Sequence, residues 1–342
     1  MTLIVRSIDV GYGYTKYTTA HVGDEIRCAH FPSLAYPSAR DPVGSLGAER
    51  RRTVAIPIDQ LFYEVGPDVL LAADTFRAAQ IHDNYIDTPE YLALVRGALR
   101  LMKLDYIDLL VVGLPVALFA THKTRLEKRM TGLHNLGAGK TVQVRKALAM
   151  AQPNGALIDY ATQQDRVMAM AHEFSLVIDP GARTFDWLVA QGMKLSPKRS
   201  HSVNRGINDI LQLIADDISL EIGQPYTQLD VIDQALRRDK SVPIFQHTYS
   251  LARMRPVVDS IARQAVGAML RRAGECYDVQ NVILVGGGAY LFKKAIKAAF
   301  ARHRIVEVKE PLFANVRGFQ IAGRDYAQTV LASGSEDDGG GQ

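Results

Sequence analysis

The sequence predicts an α/β fold built from two similar strand-rich units, and three observations carry that prediction. Two stretches share one plan: an apolar strand ending on an aspartate, a small-residue turn, a threonine and an outgoing strand. They are SIDVGYGYTKYT (residues 7–18) and SLVIDPGARTFDWLVAQG (residues 175–192), an arrangement that suggests internal duplication. Continuous apolar runs such as IDLLVVGLP (residues 107–115) read as buried central strands. Other segments switch to helical spacing. The 342 residues suit about two domains, and a hydrophobic content of 47% is enough for sizeable cores.

In chain order, residues 3–10 form a β-branched run that stops at DVGYGY, a strand entering a glycine turn, and TKYTTAHV (15–22) is the returning strand. Residues 31–73 show little helical periodicity and many turn signals, among them Pro32, Pro37, Pro42, Gly44, Gly47 and Pro57. GAERRRTV (47–54) reads as a solvated loop, and LFYEVG (61–66) with DVLLAAD (68–74) as a hairpin. TPEYLALVRGALRLMK (88–103) has helical spacing, with Thr88 as N-cap, Pro89 in the first turn and Glu90 beside it. THKTRLEKRMTG (121–132) is a basic helical connector, KTVQVRKALAM (140–150) is strand-like, and residues 156–173 are a helix and its approach. Residues 205–222 are helical with Asn204 as N-cap, and residues 252–274 form a second long helix. NVILVGGGAYLFKKAIKAAFARH (281–303) reads as strand, triple glycine, helix, and GSEDDGGGQ (334–342) as a disordered tail.

Composition excludes several function classes. The formal charge of +4, from 40 basic and 36 acidic residues, makes no whole-chain case for binding nucleic acid or a membrane. Two distant cysteines, Cys28 and Cys276, read as buried free thiols rather than a disulfide framework. Nine histidines are scattered without ligand spacing, and Trp187, the one tryptophan, reads as core. No run approaches the roughly 18 apolar residues of a membrane span, and the first residues lack a signal-peptide pattern. The expectation is a soluble, cytoplasmic protein.

GAGKT (137–141) resembles a phosphate-binding P-loop, but the motif needs a glycine five residues before Gly139, where His134 stands. The residues before it do not look like a buried strand and those after it alternate as a strand does, so it reads as a turn leading into a strand. The chemistry lies elsewhere. In Asp9–Val10–Gly11–Tyr12–Gly13–Tyr14–Thr15–Lys16, the glycines let backbone N–H groups approach anionic oxygens. Thr15 adds a hydroxyl, Lys16 a cation, and Asp9 a carboxylate for Mg²⁺ through its water shell. Asp179–Pro180–Gly181–Ala182–Arg183–Thr184 supplies a second carboxylate, glycine turn and hydroxyl, about 170 residues later. Gly286, Gly287 and Gly288, between a buried strand and a helix that starts near Tyr290, allow close approach of a flat ring or a sugar-phosphate.

In this order, the segments resemble the actin/Hsp70/sugar-kinase superfamily. More narrowly they resemble the actin-like plasmid segregation proteins of the ParM/StbA type, including protein D of PRTRC cassettes. The likeness covers most of residues 3–326: DVGYGYTK and DPGARTFD match the two phosphate loops, VVGLP the first connecting segment, VILVGGGAYLF the adenosine segment, and PLFANVRGFQIAG (311–323) the second connector and final helix. The resemblance implies an α/β actin-like fold, two ribonuclease-H-like domains with a nucleotide cleft between them. It implies domain I at residues 1–170 and 316–330 with an insertion near 31–83, domain II at 171–315 with an insertion near 205–278, and a tail at 331–342. It also implies ATP or GTP with Mg²⁺, Asp9 and Asp179 at the metal, and Asp179 as catalytic.

Two departures stand out. Ala117, Leu118 and Phe119 follow the first connector where the family places a carboxylate or amide that orients the attacking water. Either hydrolysis is slow or another residue serves, Asp179 or His122. Pro180 and Arg183 replace small residues in the second loop, and Arg183 either meets the γ-phosphate or points to solvent. The function implied is an ATPase that polymerises head-to-tail with itself and moves plasmid DNA indirectly, through a centromere-binding adaptor, with no membrane partner. The alternatives are a small-molecule kinase, or a non-polymerising nucleotide-binding module of the same superfamily.

Overall fold

The computed structural model describes residues 3–41, 51–72 and 85–331. The chain divides into two compact units, one holding residues 1–165 and 313–342, the other residues 166–312.

Unit 1 opens with strands β1 (Val5–Val10), β2 (Tyr14–Val22) and β3 (Glu25–Pro32), then β4 (Tyr36–Ser38), β5 (Val54–Ile58) and β6 (Leu61–Val65). It continues with helix α1 (Pro89–Met102), β7 (Tyr106–Leu114), α2 (Val116–Met130), β8 (Gly132–Asn135), β9 (Thr141–Ala151) and α3 (Gln152–Gln163). The main sheet has the order β3-β2-β1-β7-β9-β8, with β1, β7 and β9 parallel. Alternate residues of the central strands feed different clusters: Ile8, Leu110 and Val112 pack with Tyr91, Leu94 and Leu99 of α1, whereas Val5, Leu109 and Val111 pack with Phe319. Both faces of β7 are therefore covered, as its continuous apolar run requires. Thr88 caps α1 by accepting from Tyr91 N at 3.2 Å.

Unit 2 comprises β10 (Phe174–Pro180), β11 (Phe185–Gln191), β12 (Lys194–Leu195), β13 (His201–Val203), α4 (Ile207–Ile222), α5 (Leu229–Arg237), β14 (Val242–Ile244), β15 (His247–Tyr249), α6 (Arg255–Ala273), β16 (Val279–Leu284), α7 (Ala289–Ala299) and β17 (Ile305–Glu307). Its sheet has the order β12-β11-β10-β16-β17, with β13 beside β11. An antiparallel β10–β11 hairpin and a parallel β10–β16 pair repeat the β1–β2 and β1–β7 plan of unit 1. Trp187 is core, its Nε1 donating to Arg199 O at 2.9 Å. Helix α8 (Ala314–Tyr326) belongs to unit 1 and packs on α3 and β1.

Several expectations need correction. LFYEVG does not pair with the segment after it: β6 pairs with β5 before it and with β4, and residues 69–71 form a 3-10 turn. Asn204 is not the N-cap of α4, which starts after Gly206. Its first free N–H groups are taken by the loop beside it, Ile207 N on Gly181 O at 3.0 Å and Asn208 N on Ala182 O at 2.7 Å. A side-chain cap is therefore not needed. Cys276 is buried but Cys28 is only half-buried. VVGLP ends β7, and Pro115 leads straight into α2. The chain leaves unit 1 after α3. Residues 42–50 and 73–84, with part of the 31–83 insertion, and the tail from 332 lie outside the described residues.

Candidate functional site

In unit 1 the site grows from the C-terminal ends of β1, β7 and β9. Register pairs Ile8 with Val112 and Leu114 with Ala151, which brings Asp9, Gly113 and Gln152 to one sheet edge. The turn after β1 closes through Gly11 N on Tyr14 O at 3.1 Å, and Gly13 O accepts from Ser33 N at 2.9 Å. Asp9 is fully buried and held from two sides, by Lys16 Nζ at 3.0 Å and Gln152 Nε2 at 2.7 Å. Tyr12 stacks on Tyr85 with centroids 5.7 Å apart, and Tyr14 meets His30 edge-on at 5.2 Å. Burial, then the Lys16 charge, depresses the His30 pKa. Thr15 is not presented by the loop: it is fully buried and its hydroxyl bonds Ser33 Oγ at 2.9 Å.

In unit 2 the equivalent loop closes through Gly181 N on Thr184 O at 2.7 Å. The hairpin register sets Asp179 opposite Asp186, the position that Lys16 occupies opposite Asp9 in unit 1. Asp186 accepts a hydrogen bond from Ser202. The triple glycine clasps this loop. Gly288 N donates to Pro180 O at 2.9 Å, and Gly286 has φ +81° with no room for a Cβ, which would overlap Asp179 Oδ1.

Beside Gly287, Tyr290 meets two residues that sequence reading missed, Asp233 and Arg237. Tyr290 OH donates to Asp233 Oδ1 at 2.7 Å, Arg237 donates to Gly287 O at 2.8 Å, and the Arg237 guanidinium lies 4.3 Å above the Tyr290 ring. Burial first, then the bond to Asp233, raises the Tyr290 pKa. The signal available in sequence was an acid–base i,i+4 pair on an amphipathic helix, Asp233 and Arg237. Gln152 was missed as well. Its signal was a strand ending on an amide just before Pro153, whereas Ala117–Phe119 form the first turn of α2. His122 there bonds its neighbour Thr121.

GAGKT is the turn of the β8–β9 hairpin, closed by Leu136 N on Lys140 O at 2.9 Å. It precedes β9, at the opposite sheet edge from Asp9. A pocket of about 630 Å³ opens against it, lined by Pro57, Phe62, Arg96 and Leu133 among others, and among the described residues no carboxylate lines it.

Chemically, the two loops offer backbone donors, one lysine and strand-end carboxylates. Among the described residues no group of three His, Cys, Asp or Glu is arranged to hold a metal. A strand-end carboxylate, Asp9 in unit 1 or Asp179 in unit 2, is the kind of donor that a hard cation keeping several waters takes from a protein.

Two family models match in sequence order. One, described as actin-like proteins N-terminal domain, matches residues 7–155, and one described as archaeal actin homologue MreB-like, C-terminal, matches residues 177–298. Each part of the chain is thus similar to a domain of actin-like proteins. No curated protein matches it significantly. Among solved actin-like structures, an archaeal actin homolog superposes with a TM-score of 0.76 at 22% identity, covering 94% of this chain and 100% of that one. A structure of the same homolog in complex with ADP gives 0.72 at 22% identity, with the same coverage. A ParM from Clostridium botulinum, solved as a 15-stranded filament, gives 0.70 at 15% identity, covering 95% of this chain and 100% of that one. The fold is actin-like throughout. Among the described residues no helix is long and apolar enough to cross a membrane.

Proposed function

We propose that this actin-like protein binds and hydrolyses ATP or GTP with Mg²⁺ and uses the cycle to assemble head-to-tail filaments that move plasmid DNA through a centromere-binding adaptor. The observation that carries the reading is the repeated strand–aspartate–glycine loop, once in each unit at the same place in the sheet, with the triple glycine clasped onto the second. Gly11, Tyr12, Gly13, Tyr14 and Lys16 are the phosphate-binding groups of unit 1. Gly181, Ala182, Arg183 and Thr184 are those of unit 2. Gly286, Gly287, Gly288 and Tyr290, with Asp233 and Arg237, take the nucleoside, the flat guanidinium–tyrosine pair giving a base a surface to stack on. Asp9 and Asp179 hold the hydrated cation, which supplies charge neutralisation at the phosphates. Gln152 orients the attacking water, since its amide nitrogen is committed to Asp9 and its oxygen is left to accept.

Light scattering of purified protein with Mg²⁺ and ATP, GTP, ADP or no nucleotide tests this. A rise above a critical concentration with a triphosphate, followed by decay, is expected, and Asp179→Ala should leave the polymer persistent. A flat trace despite tight nucleotide binding overturns autonomous assembly.

A further inference from the structure

The GAGKT turn and the pocket against it belong to neither aspartate loop. Gly137, Ala138 and Gly139 all have positive φ, at 79°, 49° and 69°, and alanine holds that conformation at a steric cost that glycine does not bear. Within the turn, Gly137 N donates to Asn135 Oδ1 and Lys140 N to Gly137 O, both at 3.0 Å. The N–H groups of Ala138 and Gly139 have no partner among the described residues. Free N–H groups in such a turn make an anion-binding concavity. A Cβ on Gly137 would stand 2.4 Å from Ala55 O, so the turn packs directly on β5.

The pocket of about 630 Å³ is of small-molecule size, and its lining divides in two. The turn, Lys140 and Arg96 supply donors and positive charge, while Pro57, Phe62 and Leu133 supply an apolar wall. Lys140 is exposed and forms no ion pair among the described residues. Arg96 Nη1 donates to Pro57 O at 3.2 Å, but its Nε is buried without a partner. Burial, then the Arg129 charge, lowers the Arg96 pKa, and Asp59, in the β5–β6 turn outside the lining, opposes that. The guanidinium stays charged even so, and an enclosed N–H left unpaired is costly. An arriving anion offsets that cost.

We propose that this pocket binds an aromatic phosphate monoester at a site separate from the aspartate loops. The phosphate sits on the Ala138 and Gly139 N–H groups, Lys140 and Arg96, and the ring lies against Pro57, Phe62 and Leu133. Charge selects the phosphate, because the cationic end has no acid in its lining. The apolar wall beyond it selects a phosphate that carries a flat ring over a free inorganic ion. GAGKT lacks the strand-to-helix setting of a P-loop, and the donors here are those of a hairpin turn instead. From this turn the 11 residues of β9 run to the sheet edge of Asp9, about 30 Å at the strand rise. Occupancy of the pocket is therefore independent of the nucleotide reading above.

Isothermal titration calorimetry on the full chain tests this with 1-naphthyl phosphate, inorganic phosphate and 1-naphthol. Two variants accompany wild type. Gly139→Asp puts a carboxylate into the turn where nothing lies within 4 Å of a Cβ, and aspartate tolerates φ +69°. Lys140→Gln removes the exposed cation. Urea midpoints of both should match wild type, which controls for folding. Wild type should bind 1-naphthyl phosphate, with inorganic phosphate and 1-naphthol each weaker by at least about tenfold, since each lacks half of the contacts. Gly139→Asp should abolish that binding and Lys140→Gln should weaken it by about tenfold. No binding of 1-naphthyl phosphate by wild type, binding unaltered in both variants, or equal affinity for inorganic phosphate overturns the site. A fluorescent ATP analogue, measured alongside, should bind all three proteins alike; it reports on the aspartate loops, so failure of the nucleotide reading shows separately.

Discussion

Asp9 accepts from Lys16 Nζ at 3.0 Å and from Gln152 Nε2 at 2.7 Å, and both partners are largely enclosed. The carboxylate is fixed in rotation, and the amide is fixed beside it. Gln152→Ala should therefore keep nucleotide binding within a few-fold and slow hydrolysis by about 10²-fold, the scale of losing one positioned proton-handling or water-orienting group. Single-turnover phosphate release separates the two. Gly286→Ala acts differently: a side chain at φ +81° is strained and its Cβ overlaps Asp179 Oδ1. The expected outcome is loss of nucleotide binding with a stability loss of about 1–3 kcal/mol, read by urea denaturation. The aspartate–glycine loops were legible because a strand, a carboxylate and a tight turn follow one another along the chain. Gln152, Asp233 and Arg237 were not, because they meet the loops only through sheet register and helix placement.

At the scale of elements, α3 and α8 touch backbone to backbone at Gly155 and Gly318, where a Cβ on Gly318 would overlap the Gly155 carbonyl. Beside this crossing Arg317 forks onto Asp159, Nε to Oδ1 at 3.0 Å and Nη2 to Oδ2 at 2.8 Å, with both side chains buried. Removing one partner strands a buried charge. Asp159→Ala should lower unfolding free energy by about 3–5 kcal/mol, whereas replacing both partners by Leu and Met should recover most of it. Equilibrium urea unfolding of the single and double variants checks this. The same scale explains the missed cap of α4. Asn204 is a good cap by type, but the Gly181–Ala182 carbonyls already accept the helix's first N–H groups.

At the scale of the whole molecule, His21, His30, His134 and His201 all have pKa values lowered, in each case first by burial. The His201 shift has the charge of Arg272 as its second cause. His134 is the most enclosed of the four: its Nε2 lies 2.9 Å from Met130 O, and the nearby charge of Arg96 also disfavours its protonation. A depressed folded-state pKa means that the unfolded chain takes up the proton first. The contribution to stability is then complete above the unfolded value of about 6.5 and is lost as pH falls below it. Urea midpoints should be level from about pH 8 to 7 and fall from about pH 6.5 toward 5, and His134→Gln should flatten part of that slope. Each histidine that stays neutral in the fold adds at most about 1.4 kcal/mol per pH unit.

Sequence alone determined that the protein has two strand-rich units of one plan, which loops carry the carboxylates and glycines, and that GAGKT is a turn leading into a strand. Each of these depends on residues close together in the chain, where periodicity and turn chemistry act directly. Only the tertiary structure decided which amide stands beside Asp9, which helix covers the triple glycine, what caps α4, and which strand β6 pairs with. Those choices depend on contacts between segments far apart in sequence. Gln152 reaches Asp9 across 143 positions and Arg237 reaches Gly287 across 50. Such pairings are set by sheet register and by the packing of helices on a shared core, which local residue order does not encode.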